Sequence, residues 1–149
     1  MVRESNELKR CFEKGLIKKT LPSKEKSLKS VRKARRWLEE AKKNFEFGLF
    51  DSCLVSSYSA MFHAARALLF KDGFREKSHY CLVRYIEKKY VNTKKLDRSI
   101  VDLLDRFRDL RHEDLYELEF FATKEEAEEA IKSAEFVIEE IKKILKKKN

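Results

Sequence analysis

Residues 51–71 read DSCLVSSYSAMFHAARALLFK, and this stretch decides the fold. At about 100° per residue its bulky side chains gather on one wide face, a pattern typical of a helix that packs on a core. They are Leu54, Val55, Tyr58, Met61, Phe62, Ala65, Leu68 and Leu69. The opposite face carries only small side chains, namely Cys53, Ser56, Ser57, Ala60, Ala64 and Ala67. A second helix can approach the backbone closely on that side, so we expect this helix at the centre of a bundle.

A narrow polar seam of Ser59, His63 and Arg66 separates the two faces and is a candidate site. A lone histidine beside an alanine-rich face is more often a packed, hydrogen-bonded residue than a ligand. At the ends of the helix, Asp51 is predicted to cap the first turn and Gly73 to supply a left-handed terminating turn.

The length of 149 residues, 42% of them hydrophobic, predicts one domain with a core. No run of 18 apolar residues occurs, and the first 25 residues are lysine-rich rather than signal-like, so we expect a cytoplasmic protein without a membrane span. The three cysteines are odd in number and far apart, which argues against a disulfide framework or a zinc site. We therefore expect Cys11, Cys53 and Cys81 to be reduced packing residues.

Charged residues make up 41% of the chain, with no glutamine, a composition that resembles that of heat-adapted proteins. The net charge of +9 is uneven, because residues 1–35 hold 12 Lys/Arg against 4 Asp/Glu. We therefore predict a basic N-terminal arm over residues 1–22, with a short amphipathic helix, ahead of a helical domain over residues 23–149. Such an arm can bind a phosphate backbone with salt-dependent affinity, or it can be an ordinary solvated surface.

The rest of the chain shows helical periodicity and no strand pattern. Helices are predicted over about residues 4–19, 24–47, 78–90 and 95–112, with a last one opened by a capping box of Thr123 and Glu126. Residues 113–122 are predicted to form an ordered connector with aromatic anchors. The fold class is therefore all-α, an up-and-down antiparallel bundle of four to five helices with a short N-terminal helix.

The stretch RFRDLRHEDLY, residues 106–116, is the most informative for chemistry. Arg111 falls inside the apolar stripe of its helix, where an arginine needs a partner, and Arg108 and His112 flank it. Arginine forks bind phosphate through two hydrogen bonds, and histidine exchanges a proton near neutral pH. The alternative is that both arginines bind the last carbonyls of the helix and nearby acids, with His112 as a cap. Three dispersed histidines predict neither a metal site nor a cofactor.

Four segments resemble HEPN domains (higher eukaryote and prokaryote nucleotide-binding). SYSAMFHAARALL resembles the signature of the family's second helix, and KSHYCLV, LDRFRDLRHEDLY and TKEEAEEAIKSAEFV resemble the third, fourth and last helices. The resemblance covers about residues 23–149. It implies a dimeric bundle and, in many relatives, a partner nucleotidyltransferase with which the domain forms a toxin–antitoxin pair.

Active relatives resemble metal-independent ribonucleases that carry an arginine, four to six further residues and then a histidine. Arg111, followed by the polar His112, fits the first half of this motif, but Tyr116 stands where the histidine belongs. Arg106 and His112 satisfy the spacing, yet they lie about 120° apart on a continuous helix. A tyrosine in place of the motif histidine resembles a branch of small, uncharacterised HEPN proteins in which a tyrosine follows the arginine.

Two functions are compatible with these residues. In the first, which we favour, a dimeric module binds nucleotide or RNA through Arg108, Arg111, His112 and Tyr116 and pairs with a nucleotidyltransferase. In the second, the protein is a metal-independent endoribonuclease in which an arginine such as Arg106 holds the scissile phosphate and His112 is the general acid or base. A purely structural interaction module is the third alternative.

A homodimer is expected, because the small-residue face of residues 53–67 and the end of the fourth helix offer more contact surface than one bundle needs.

Overall fold

The computed structural model describes residues 2–147, and the side chains of residues 6–147. Over this range the chain forms six α-helices, one π-helical turn and two short strands. They are α1 (Val2–Glu13), β1 (Ile17–Lys19), α2 (Lys24–Glu46), α3 (Phe50–Asp72), β2 (Phe74–Glu76), α4 (His79–Ile86), the π-turn (Glu87–Val91), α5 (Arg98–Tyr116) and α6 (Lys124–Lys146). The predicted all-α bundle is confirmed. None of the described helices is both long and apolar enough to cross a membrane. Met1, Lys148 and Asn149, at the outer ends of the two predicted domain ranges, lie outside the described residues.

Helix α3 is the central helix, as its two-faced pattern predicted. Its small-residue face lies against α2 and α6, where the Ser27 hydroxyl of α2 donates to the Ala67 carbonyl at 2.8 Å. On the other flank the Cys53 thiol donates to the Ala127 carbonyl of α6 at 3.7 Å. A side chain of one helix reaches the backbone of another only when no bulky residue stands between them, so the small residues permit this close packing.

The same packing corrects the predicted dimer surface. Ala60 and Ala67 are 0% exposed within a single chain, because α2 and α6 already occupy the small-residue face. The part of α3 that stays half-exposed is a different stripe, which we call the open strip. It consists of Val55, Ser59, Phe62, His63, Arg66 and Phe70.

Only one of the two ends of α3 is as predicted. Gly73 ends the helix with a left-handed φ of 87°, as predicted. Asp51 is not the N-cap, because the helix begins at Phe50 and places Asp51 inside its first turn. The Asp51 carboxylate instead accepts the Ala122 N–H at 2.7 Å and so ties the start of α3 to the segment before α6.

Helix α5 begins and ends later than predicted. It begins at Arg98, where the Asp97 side chain accepts the Ser99 N–H, and it continues through Tyr116. The predicted connector therefore shrinks to residues 117–123, because residues 113–116 keep the helical hydrogen bonds. The capping box of Thr123 and Glu126 that opens α6 is confirmed.

A small antiparallel sheet was not predicted. Helix α1 ends at Glu13, and β1 then pairs with β2, with Ile17 opposite Glu76. Each strand has only three residues, too few to show an alternating pattern in the sequence. Ile17 is 2% exposed, so this part of the arm packs into the core.

The prediction of three reduced cysteines is wrong for two of them. Cys11 of α1 and Cys81 of α4 form a disulfide, with their Cα atoms 5.8 Å apart. They are separated by 70 residues in the sequence, and only the docking of α1 on α4 brings them together. Cys53 is a free, buried thiol, as predicted.

Candidate functional site

Arg111 occupies the buried flank of α5, as its place in the apolar stripe predicted. Its guanidinium lies over the ring of Tyr58 on α3, with the guanidinium carbon 5.7 Å from the ring centroid. Among the described residues no carboxylate oxygen lies within 4.0 Å of it. A guanidinium that stacks on an aromatic ring keeps its in-plane N–H donors for other partners. Arg111 is thus a half-buried cation that lacks an acidic partner among these residues.

Arg108 differs from Arg111 in that an acid neutralises part of its charge. It forms an ion pair with Asp105 at 2.8 Å and lies over the ring of Tyr80 at 5.5 Å. Asp105 also pairs with Arg84 of α4, so one carboxylate serves two guanidinium groups. Arg108 also pairs with Asp109 at 3.7 Å, and Arg84 also pairs with Glu87 at 3.4 Å. This arrangement matches the alternative prediction for Arg108.

His112 and Tyr116 stand on the last turn of α5, on the same side as Arg108. Both are exposed, and their ring centroids are 4.8 Å apart. The spacing of four residues from Arg108 to His112 and again to Tyr116 aligns the three side chains along the helix. The structure therefore brings the four predicted phosphate-binding residues to one end of α5.

Arg106 points elsewhere. Its guanidinium forms two hydrogen bonds with the Glu129 carboxylate on α6, the longer of them 3.1 Å. Because α5 is continuous through this region, Arg106 and His112 leave the helix on different sides. The structure does not bring this pair together.

The polar seam of α3 takes part in packing. Arg66 pairs with the buried carboxylate of Glu76 on β2 at 2.7 Å. The Ser59 hydroxyl donates to the Val55 carbonyl of its own helix at 3.0 Å. Burial, followed by the charge of Arg66, lowers the pKa of His63 to about 4, so this imidazole is neutral at pH 7.

His79 is the residue that sequence reasoning missed, since it was not among the candidate site residues. Its Nδ1 lies 2.8 Å from the Tyr58 hydroxyl oxygen, and its ring stacks on Phe62 with centroids 3.9 Å apart. Burial, followed by the charges of Arg111 and Arg108, lowers the pKa of His79. The packing of α4 against α3 and α5 thus sets an imidazole close to Arg111. In the sequence the only hint was the resemblance of KSHYCLV to a family segment.

Two carboxylates lie near Val55, at the N-terminal end of the open strip. Asp51 and Asp114 line a cavity of about 310 Å³ between α3 and α5, together with Val55 and Leu115. Burial, followed by the neighbouring Asp51 and Glu126, raises the pKa of Asp114 to about 7. A neighbouring negative charge favours the protonated form of Asp114, because two negative charges repel each other at short range.

We expect Asp114→Asn to flatten the pH dependence of stability. A carboxyl group whose pKa is raised from 3.8 to about 7 binds its proton more tightly in the folded state. Its contribution to stability is therefore greatest below the unfolded pKa and is lost as pH rises from about 4 to about 7. Asparagine has a similar shape and does not ionise, so denaturant unfolding at pH 5 and pH 8 should show a smaller difference in the variant.

The matched control for this experiment is Asp109→Asn, because Asp109 has a side chain that is 73% exposed. This control should keep the pH dependence of the wild type. An unchanged pH dependence in Asp114→Asn would show that Asp114 is ionised in the folded protein at pH 5.

The described residues contain no group of three or more His, Cys, Asp and Glu side chains arranged to hold a metal ion. The chemistry that these side chains can perform at the α3–α4–α5 junction is the binding of anions by guanidinium groups and proton exchange by imidazole.

Comparison with known proteins gives a family match over most of the chain. The family model described as HEPN domain matches residues 27–145. The chain is 33% identical to the UPF0332 protein of Archaeoglobus fulgidus over 117 residues, covering 78% of this chain and 93% of the relative. It is 29% identical over 133 residues to a Methanocaldococcus jannaschii protein named "Putative toxin MJ0605", covering 89% of this chain and 97% of the relative. A second protein of that organism, "Putative toxin MJ0142", is 25% identical over 121 residues, covering 81% of this chain and 82% of the relative.

Proposed function

The chain belongs to the HEPN domain family, and from this premise we propose that it is a dimeric module that binds phosphate groups of RNA or of a nucleotide. We further propose that it acts as the toxin-type partner of a small nucleotidyltransferase. The names of two relatives as toxins support the toxin-type assignment. The family resemblance in the sequence supports the nucleotidyltransferase partner.

The observation that carries the proposal is that Arg111 lacks a carboxylate partner among the described residues. The chain has 26 acidic residues, yet the described ones leave this half-buried guanidinium without a carboxylate partner. Desolvating a cation without a hydrogen-bonded anion is costly, so such a residue is retained where a ligand supplies the anion. A phosphate group matches the planar fork of arginine through two parallel N–H···O bonds.

The neighbours of Arg111 suit a nucleic-acid ligand. The guanidinium of Arg108 lies on the same turn region of α5 as Arg111, and the exposed rings of His112 and Tyr116 offer surfaces on which a base can stack. The chain as a whole carries a net charge of +9, which favours association with polyanions at low salt. These features recognise the backbone and the faces of bases, so we expect little sequence preference.

The dimer is proposed on the open strip of α3 and the end of α5. Phe62 and Phe70 are half-exposed on that strip, and Leu115 and Tyr116 are 45% and 65% exposed on α5. Neighbouring apolar side chains of this kind are typical of surfaces that bind another protein chain. The two surfaces adjoin the arginine site, so a second copy would place two such sites near each other.

We expect Arg111→Lys to weaken RNA binding about tenfold, although the charge is kept. Lysine has no planar fork, and the loss of one charge-assisted hydrogen bond costs about 1.5 kcal/mol. Fluorescence anisotropy of a labelled single-stranded RNA at fixed salt measures the effect. Arg106→Lys is the matched control on the same helix, because Arg106 already binds Glu129, and its affinity should equal that of the wild type.

Two results would contradict the proposal. If Arg111→Lys binds RNA like the wild type and loses only thermal stability, the arginine belongs to a structural network. If purified protein cuts RNA in the presence of chelator and His112→Ala abolishes the cleavage, the protein is a metal-independent endoribonuclease instead.

A further inference from the structure

His79 has one ring nitrogen that is engaged in a hydrogen bond, and it shares the neighbour Tyr58 with Arg111. The engaged atom is Nδ1, 2.8 Å from the Tyr58 hydroxyl oxygen. Phe62 stacks on the imidazole with an angle of 11° between the ring planes, so the ring is held in orientation. The Nε2 atom makes no hydrogen bond to the described residues, so it is available to a ligand. Tyr58 contacts both His79 and Arg111, since the Arg111 guanidinium lies over its ring.

The charged groups around His79 are mainly positive. Arg111 and Arg108 approach from α5, and Arg66 approaches from α3. Glu76 pairs with Arg66 and Asp105 pairs with Arg108, which leaves Arg111 as the guanidinium without a carboxylate among the described residues. An imidazolium at His79 is therefore disfavoured while the site is empty, because it would add a further positive charge to a partly buried cluster.

We propose that His79 is a ligand of the same phosphate group that Arg111 binds, and that phosphate binding favours the protonated form of its imidazole, with the proton taken from solvent. This inference rests on the proposed function for the identity of the ligand as a phosphate of RNA or of a nucleotide. An anion between Arg111 and His79 removes the reason for the imidazole to stay neutral, since an opposite charge within about 4–6 Å favours the charged form. The imidazolium then donates its Nε2 proton to a phosphate oxygen in a charge-assisted hydrogen bond.

The Tyr58 hydroxyl permits this protonation without a rearrangement. A hydroxyl both donates and accepts, so it can donate to Nδ1 of the neutral ring and accept from Nδ1–H of the imidazolium. Burial raises the pKa of Tyr58, so the hydroxyl stays protonated throughout this range. Tyr58 is thus a positioning residue that serves both protonation states of His79.

The first test is an NMR titration of the imidazole signals with and without sulfate, an anion that stays doubly charged between pH 5 and pH 8. The chain has only three histidines, so the signals are assigned by single substitutions. We expect sulfate to raise the pKa of His79 by about one unit or more. Sodium chloride at the same ionic strength serves as the reference. An unchanged pKa of His79 in saturating sulfate would overturn the proposal.

The second test measures proton uptake during RNA binding, by calorimetry at pH 7 in two buffers with different heats of ionisation. The wild type should take up a fraction of a proton per bound phosphate site, and His79→Gln, whose amide cannot titrate, should take up none. Tyr58→Phe keeps the ring beneath Arg111 and removes only the hydroxyl, so it should reduce the uptake. Arg106→Lys is the control, because Arg106 already binds Glu129, and its uptake should match that of the wild type.

The results separate this proposal from the proposed function. RNA binding with equal proton uptake in the wild type and in His79→Gln would refute the role of His79 and leave the RNA-binding module intact. A sulfate-induced rise in the pKa of His79 without any RNA binding would support the anion site and refute the RNA ligand. The signal of His79 is identified by elimination with His63 and His112 variants, so the sulfate titration holds even if a His79 variant fails to fold.

Discussion

Replacing Cys11 and Cys81 together by serine lowers the free energy of unfolding by about 4 kcal/mol. The disulfide joins residues that are 70 positions apart, so it removes much of the chain entropy of the unfolded state. For a chain of this length the loss corresponds to a melting temperature lower by about 10 °C. Denaturant unfolding with and without a reducing agent measures the effect in the wild type, and the double serine variant should not respond to the reducing agent.

A wild type whose stability is the same in reducing and oxidising buffer would contradict this prediction. The result also affects how the basic arm is studied. Leu8 and Ile17 are each 2% exposed and lie in the core, and Cys11 is tied to α4. Deleting residues 1–22 would therefore remove core contacts along with charge. The role of the arm in salt-dependent RNA binding is better tested by replacing exposed lysines, such as Lys9 and Lys14.

Replacing Ala60 by phenylalanine lowers the stability of the single chain by about 3 kcal/mol. Ala60 is 0% exposed on the small-residue face of α3, where α2 and α6 approach the backbone closely. A phenyl ring there has no room without moving a helix, so the main effect falls on folding. Denaturant unfolding at low protein concentration measures it.

Ser59→Phe is the matched control, because Ser59 is the next residue and lies on the half-exposed open strip. This variant should lose less than about 1 kcal/mol of stability, as surface substitutions usually do. If the dimer uses the open strip, light scattering should show a weaker dimer for Ser59→Phe at micromolar protein. Equal stability of Ala60→Phe and the wild type would contradict the packing of α2 and α6 on this face.

The helices were largely predictable because their signals are local. Periodic apolar residues located α2, α3 and α6, and single residues such as Thr123 and Gly73 marked the ends of helices through a cap or a turn. A helix depends on hydrogen bonds between residues four apart, so its sequence carries most of the necessary information. The late end of α5 shows the limit of this approach. Residues 113–116 look like a connector by composition, yet they continue the helix.

The candidate site was predictable only in the part that lies on one helix. The helical spacing of Arg108, Arg111 and His112 predicted that they lie together. Tyr116 was predicted to lie in a connector, and it joins them because α5 continues to that residue. The sequence was equally compatible with the alternative pair of Arg106 and His112, because both residues lie on the same predicted helix. It was the position of Glu129 on α6 that assigned Arg106 to an ion pair and left Arg111 as the candidate anion-binding residue.

By itself, the sequence determined that this protein is a helical bundle with a two-faced central helix and an arginine-rich end on α5, because these properties follow from short-range periodicity. Tertiary structure alone decided that Cys11 meets Cys81, that β1 pairs with β2 and that His79 stands between Tyr58 and Phe62 near Arg111. Each of these contacts joins residues far apart in the chain. Their partners are chosen by how whole helices dock, and helix docking depends on the fit of many side chains at once rather than on any local pattern.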